Sequence, residues 1–350
     1  TNSQIGGRRN IVINGAMQVA QRGTSSTGYA STSEYPTCDR LEVNVNNLGA
    51  YTVTQETDSP TGFSNSFKLA CTTADASPAT SDYVFCAYKF EGQDVQHLKK
   101  GTSGAEYVTL SFYVKSNLTG TFQVNLRDND NSRFVSSSYT ISASSTWEYK
   151  TITFVGDTTG ILDNDANESL KIEWWLDSGT NFNTGSLNTS WASADNTNRN
   201  AGTTVNIGNS TSNFWQMTGI QLEVGEQATP FEHRSFGEEL ALCQRYFEKI
   251  EIGSGGGYAS GAVNITNQAR VLLPFSTTKR AVPTASATSA STFSVQVNGG
   301  GSTPTSISFA GTTSLVSSYV FAIGSFTLNH PVVLLDSDSS NSHFEFDSEL

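Results

Sequence analysis

Oxygen-rich loops carry the chemistry that this sequence offers. Asp163, Asn164 and Asp165 lie together in the stretch 156–168, and Asp128-Asn129-Asp130-Asn131 form a second acidic run. Ca²⁺ prefers such oxygen ligands, so a structural Ca²⁺ is one expectation and ordinary Asp/Asn turns the other. Neither run has the Gly and terminal Glu of an EF-hand loop. Trp191, Asp195, Asn196 and Asn198 fall in the long polar stretch 177–204. An aromatic ring beside amides and a carboxylate can stack on a sugar and hydrogen-bond its hydroxyls, as Tyr29 and Tyr35 could also do. These two loops are the expected ligand-binding residues; the alternative is that both are solvated crossings between strands.

Catalytic signatures are missing. His97, His233, His330 and His343 are outside any HExxH, and no GxSxG is present. No catalytic residue, no metal centre and no organic cofactor is expected. A carboxylate pair for glycoside cleavage stays open, since acids are plentiful and none is singled out. Cys38, Cys71, Cys86 and Cys243 form no CxxC and read as free buried thiols, with a Cys71–Cys86 bridge as the alternative.

The elements that position these loops are strands. Of the 350 residues only 15% are charged, 30 are Gly and 8 are Pro, and Ser and Thr abound. That composition suits an all-β chain and excludes coiled coils and collagen. The net charge of −12 argues against nucleic acid or an anionic membrane as the partner, and no apolar run approaches the roughly 20 residues that span a bilayer, so no membrane insertion is expected. Short alternating runs predict strands at 41–45, 51–55, 67–71, 84–90, 108–114, 122–126, 147–155, 170–176 and 214–224. Residues 11–22 suggest a strand or two with a turn at Asn14–Gly15, and 23–37 a loop. Trp174 and Trp175, adjacent in one strand, must face opposite ways: one to the core, the other into a groove or a neighbouring subunit.

One stretch has a helical period. Phe236, Leu240, Cys243, Phe247 and Ile250 predict a helix over 235–250, capped by Ser235 with Glu238 three residues on. The expected domains are a connector at 1–9, a β-sandwich at 10–232, a linking helix and Gly-rich turn at 233–257, and a smaller β-sandwich at 258–350. In the last, strands are expected at 263–265, 270–275, 293–297, 306–309, 319–323, 326–328, 332–335 and, as an edge, 344–346. The runs 284–292 and 299–301 read as turns or loops.

Several segments together resemble the C-terminal receptor-binding region of tail-fibre or minor structural proteins of tailed bacteriophages, of marine or cyanobacterial type. These are NIVINGAMQVAQRGTS (10–25), YKFEGQDVQHLKKGTSG (88–104), WEYKTITFVGDTTG (147–160) and, most densely, MTGIQLEVGEQATPFEHRSFGEELALCQRYFEKI (217–250). The resemblance runs over roughly 10–250, with ARVLLPFSTTKRAVPT and the closing FDSEL similar to a small domain that often follows. Leu41 stands after Asp39-Arg40 where the family often carries Trp.

The resemblance implies a carbohydrate-binding-module-like jelly roll in a homotrimeric, non-enzymatic adhesin. Its partners would be host cell-surface polysaccharide or lipopolysaccharide, and other phage tail proteins on the N-terminal side. It implies a place at the fibre tip of a virion, with synthesis in the host cytoplasm. The start TNSQIGGRRN is polar, lacks the apolar core of a signal peptide, and reads as cut from a longer shaft. The alternatives are a glycan-degrading tailspike-type enzyme and a purely structural fibre or decoration protein.

Overall fold

The computed structural model describes residues 9–310, 314–337 and 342–350. The chain divides into two compact units, one of residues 1–239 with Leu350 and one of residues 240–349. Residues 1–8 of the expected connector lie outside the described residues.

The first unit is all but entirely β. Its strands are β1 (Ser25–Glu34), β2 (Glu42–Glu56), β3 (Ser66–Thr73), β4 (Tyr83–Glu91), β5 (Val108–Ser116) and β6 (Gly120–Asp128). They continue with β7 (Arg133–Ile141), β8 (Glu148–Phe154), β9 (Glu168–Ser178), the two-residue β10 (Ala192–Ser193) and β11 (Phe214–Val224). One strand creates both layers. The first half of β2 pairs with β4 and the second half with β3. Between the halves Gly49 has φ of +69°, and a Cβ there would lie 2.4 Å from the Thr73 carbonyl oxygen. Only glycine lets the strand fold over at this point.

The first sheet then runs β10-β7-β6-β9-β4-β2 and the second β2-β3-β11-β5-β8, all antiparallel, with β1 following β2 through both. From β3 to β11 the chain passes repeatedly between the layers, staying in the first sheet only from β6 to β7 and from β9 to the short β10. This wrapping is a jelly roll.

The core lies between the layers. Phe112 of β5 meets Tyr139 of β7 at 5.2 Å and Trp174 of β9 at 6.0 Å, both edge-on. The Trp215 indole N–H of β11 donates to the Tyr139 hydroxyl (3.1 Å). All four cysteines are buried and outside any disulfide, so there is no Cys71–Cys86 bridge.

Three local expectations are corrected here. Residues 23–37 are not a loop: Ser25–Glu34 is a strand that buries little beyond Tyr29, so its pairing with β2, not apolar alternation, makes it. Residues 133–141, not among the expected strands, form β7 beside β6. Residues 11–22 form no strand. The turn at Asn14–Gly15 is present, but the surrounding backbone donors go to side chains: Ile13 N to the Tyr88 hydroxyl, Val19 N to Asn14 Oδ1. Asn14 Nδ2 in turn donates to the carbonyls of Val19 and Asp39.

At the end of β9, Asp177 fastens the loop 205–213. Its carboxylate accepts from Asn206 Nδ2 (3.0 Å) and Gly208 N (3.1 Å). Burial outweighs these bonds and raises its pKa to about 6. Protonation therefore favours the folded state. The contribution is complete below the unfolded value near 4 and fades as pH rises through about 6. Acidification from pH 7 to 5 should stabilise the first unit by about 1–2 kcal/mol. Tryptophan-detected urea unfolding at both pH values checks this, and Asp177→Asn should remove the difference; an unchanged pH dependence would refute the assignment.

The helix α1 (Thr180–Asn183) is one turn long. The helix α2 covers only Phe236–Gln244, starting with the expected cap: Ser235 Oγ accepts from Glu238 N (3.3 Å). The expectation of a helix to 250 is corrected, because Phe247–Ile250 forms strand β12, paired with Phe344–Asp347. Aromatic and β-branched residues in 246–250 favour that pairing, and the ladder overrides the near-heptad spacing.

The second unit continues with β13 (Gly257–Ile265), β14 (Gln268–Pro274), β15 (Thr284–Ala287), β16 (Phe293–Val297) and β17 (Gly300–Ser302). It ends with β18 (Ser306–Ala310), β19 (Ser317–Ile323), β20 (Pro331–Asp336) and β21 (Phe344–Asp347). A sheet ordered β17-β16-β20-β13-β14-β19-β18 and a small sheet β12-β21-β15 share one core. Phe344 and Phe346 of β21 are fully buried, and Phe293 stacks on Phe344 at 4.9 Å.

Four expectations change. Residues 344–346 form a central strand, not an edge, because β12 and β15 flank them. Residues 284–287 are a strand, paired with β21, and 300–302 form a short strand against β16. Residues 326–328 form none: they approach a turn at Asn329 (φ +64°), although Phe326 is buried.

Candidate functional site

The two expected loops meet at Lys100, which covers the Trp191 ring and donates to the Gly160 carbonyl. Trp191 is half-buried, with its indole N–H on the Val155 carbonyl (2.7 Å) and the Lys100 ammonium 4.3 Å above its ring. Lys100 is itself buried between Asp128 and Asp157 (2.9 Å), and Asp157 also accepts from Arg133 Nε (2.7 Å). Burial works to raise Asp157, but the Arg133 and Lys100 hydrogen bonds prevail and hold it at about 2.

Asp195 is exposed and accepts from Thr197 N and Thr197 Oγ1, closing its own turn. Asn196 is exposed, while Asn198 bonds Ser186 N and Asn188. Asp163 N donates to Asp130, and Gln96 Nε2 to the Asp163 carbonyl; Asp163 and Asn164 are exposed, and Asp165 accepts from Asn167. Both loops thus hold themselves together, as Asx turns do. No group of three or more His, Cys, Asp or Glu among the described residues could hold a metal ion.

The tryptophan pair of β9 obeys its alternation. Trp174 enters the core and Trp175 faces the other way, yet Trp175 is not exposed to a groove or a neighbour. Phe182 of α1 lies 5.4 Å from it, and the Arg199 guanidinium 4.7 Å above its ring. Arg199 Nη2 also bonds the fully buried Glu173 (2.8 Å), which accepts from the Trp175 indole (3.0 Å). Burial opposes Glu173's ionisation, but Arg199, Lys171 and Arg127 outweigh it and keep the carboxyl far below its usual range. The segment 179–203 therefore acts as a cover on this face of the first sheet.

The outer face of the second sheet differs. Its strands alternate apolar residues inward with Thr109, Ser111, Tyr113 and Lys115 outward on β5. Tyr113 lies opposite Tyr149 of β8, ring centroids 4.9 Å apart, and Tyr149 is 46% exposed. Phe63 adds a ring 5.5 Å from Tyr113, and Phe231 (5.0 Å) and His233 (5.3 Å) extend it.

Local chemistry places each ring. The 58–66 loop is tied by Ser59 Oγ to the Phe63 carbonyl and by Ser66 Oγ and Gln216 Nε2 to the Asp58 carbonyl. Gly219, at φ of +65°, has no Cβ to strike Phe63, which a side chain would meet at 2.7 Å. The 231–233 segment is held by Glu232 N on Gln221 Oε1 (2.8 Å). At the rim Asp58 pairs with Lys115 and accepts from the Trp147 indole (3.2 Å), and the Lys115 hydrogen bond keeps its carboxyl below the usual range. Lys115 also sits 5.1 Å over Trp147.

Rings from four separate segments thus make a partly exposed aromatic surface with a polar, ion-paired rim. Such a surface offers apolar faces for stacking and hydrogen-bonding groups at its edge. None of these residues is among those expected from the sequence to bind a ligand. One signal was legible: Tyr113 and Tyr149 occupy the polar positions of alternating strands, where a ring must point outward.

No protein-family profile matches the chain, and no curated protein matches it by sequence. Among solved structures, the enzymatically active domain of tailspike protein 4 of bacteriophage CBA120 is similar over 62% of this chain and 21% of its own length, at 14% identity and a TM-score of 0.32. The family 11 carbohydrate-binding module of the cellulase Lic26A-Cel5E of Clostridium thermocellum is similar over 63% of this chain and 97% of its own, at 11% identity and 0.29. The CBM22-1 xylan-binding domain of Paenibacillus barcinonensis Xyn10C is similar over 60% and 100%, at 9% and 0.29. The class is set by the chain's own topology: an all-β protein with a jelly-roll sandwich, a short helix and a second, smaller β-unit.

Proposed function

We propose that this protein is a non-enzymatic adhesin that binds host cell-surface glycan, as the receptor-binding part of a phage tail fibre. The observation that carries the glycan reading is the aromatic surface of Phe63, Tyr113, Tyr149, Phe231 and His233. Its half-exposed rings would stack on the apolar faces of sugars, and Asp58, Lys115 and the Trp147 indole would bond hydroxyls at the rim. The sequence resemblance of 10–25, 88–104 and 217–250 supports the fibre context. Three copies per fibre would multiply weak contacts into avid attachment.

A glycan array probed with this chain should show saccharide binding, and Tyr113→Ala and Tyr149→Ala should each weaken it about 5- to 10-fold with an unchanged thermal midpoint. Absence of binding to any array glycan and to host cells would leave a structural fibre role instead. Release of reducing ends from host polysaccharide would overturn the non-enzymatic assignment. Light scattering should return the mass of three chains; a single-chain mass at low micromolar concentration would count against the fibre context.

A further inference from the structure

The second unit carries a concavity of its own. A cleft of about 420 Å³ opens between the segment 287–291 and the segment 304–309. That volume is in the range of small-ligand sites. Its walls are Thr288, Ser289 and Ser291 on one side and Thr305 and Ser306 on the other, with Phe309 among its apolar lining.

Charge is absent from this lining, although the protein carries 32 acidic and 20 basic residues. With no carboxylate it has nothing to fix a cation, and with no Lys or Arg nothing to fix an anion. A hydroxyl both donates and accepts, so a wall of hydroxyls complements a ligand whose own groups do the same. Several of these hydroxyls are held in place. Thr288 Oγ1 bonds Thr292 Oγ1 (2.9 Å), Ser289 Oγ bonds Ser291 Oγ (3.0 Å), and Thr305 Oγ1 donates to the Ile323 carbonyl (3.0 Å). Phe309 is half-buried, its ring centroid 6.0 Å from those of Phe344 and Phe346, which fix it from the core side. An immobile ring beside oriented hydroxyls suits a sugar, with its apolar C–H face and equatorial hydroxyls.

We infer that this cleft is a saccharide site for one or two uncharged sugar residues, separate from the aromatic surface of the first unit. It stands on the second unit alone and would survive failure of the glycan reading made for the first. The test is saturation-transfer NMR on the full chain carrying both Tyr113→Ala and Tyr149→Ala. The probes are glucose, galactose, N-acetylglucosamine, maltotriose and dextran, with glucuronate and glucosamine as charged counterparts. A single ring, a short free chain and a polymer are thereby distinguished.

At least one neutral probe should give signal in this background. Adding Ser306→Arg, or Ser289→Tyr on the opposite wall, should weaken it at least tenfold without moving the thermal midpoint. Both positions are exposed, so folding is spared. No signal from any neutral probe, equal signal from the charged ones, or signal indifferent to both substitutions would overturn the inference.

Discussion

Replacing Lys100 with Met should lower the unfolding free energy of the first unit by about 3–5 kcal/mol, as expected when one partner of a buried ion pair is removed. Lys100 lies buried between Asp128 and Asp157, and its charge is the link between them. Without it, Asp128 keeps only the amide donors of Asn131, and Asp157 depends on Arg133 and Thr159 N. The loss spreads to the loop, because Lys100 Nζ also donates to the Gly160 carbonyl and covers the Trp191 ring. All five tryptophans, at 147, 174, 175, 191 and 215, belong to the first unit, so indole fluorescence during urea unfolding reads this unit alone. The loss should shrink when Asp128→Asn is already present, since the carboxylate left stranded is then gone. A change below about 1 kcal/mol would mean that solvent screens the cluster after all.

Lys279→Met should have a comparable effect in the second unit. Lys279 and Glu248 are both fully buried, 2.5 Å apart, and Lys279 Nζ also caps the Gln244 carbonyl at the end of α2. Glu248 accepts in addition from Ser276 N. This one cluster joins the end of the helix, strand β12 and the segment 275–279. Methionine fills the space but leaves Glu248 buried without its cation, at a cost of about 3–5 kcal/mol. Hydrogen exchange reads the result locally: amides of β12 and β21 should exchange faster by roughly two to four orders of magnitude. Glu248→Gln combined with Lys279→Met should recover part of the loss. Exchange unchanged in Lys279→Met would show that the strand pair is held by its phenylalanines alone.

Strand existence was readable in long alternating runs such as 84–90, 108–114 and 214–224, because a strand packed on a core needs that period. It failed where pairing came from a partner. Ser25–Glu34 has little to bury and is a strand only because β2 runs beside it. Phe247–Ile250 shows the opposite case: its spacing continued a helical stripe, and an offer of ladder hydrogen bonds from 344–347 decided otherwise.

The candidate site was harder still. Trp191, Asp195, Asn196, Asn198, Asp163, Asn164 and Asp165 have the composition of a sugar site, yet their polar atoms bond mainly to their own turns and neighbouring loops. Composition cannot tell a ligand-facing amide from one that closes a loop. Of the aromatic surface only the outward positions of Tyr113 and Tyr149 were legible; Phe63, Tyr113, Tyr149 and Phe231 come from four segments, and side chains far apart in sequence meet only when strands find their neighbours.

By itself, then, the sequence determined the class of structure, the capped start of the longest helix among the described residues, the opposite facing of Trp174 and Trp175, and the lack of a catalytic signature. Those follow from local propensity and periodicity, which act over a few residues. Only the tertiary structure decided that β2 serves two sheets, that segment 179–203 buries Trp175 under Arg199, and that rings gather on the second sheet while uncharged hydroxyls line a cleft in the other unit. Each of these depends on which strands become neighbours, and that choice is made by burial and long-range pairing summed over the whole chain.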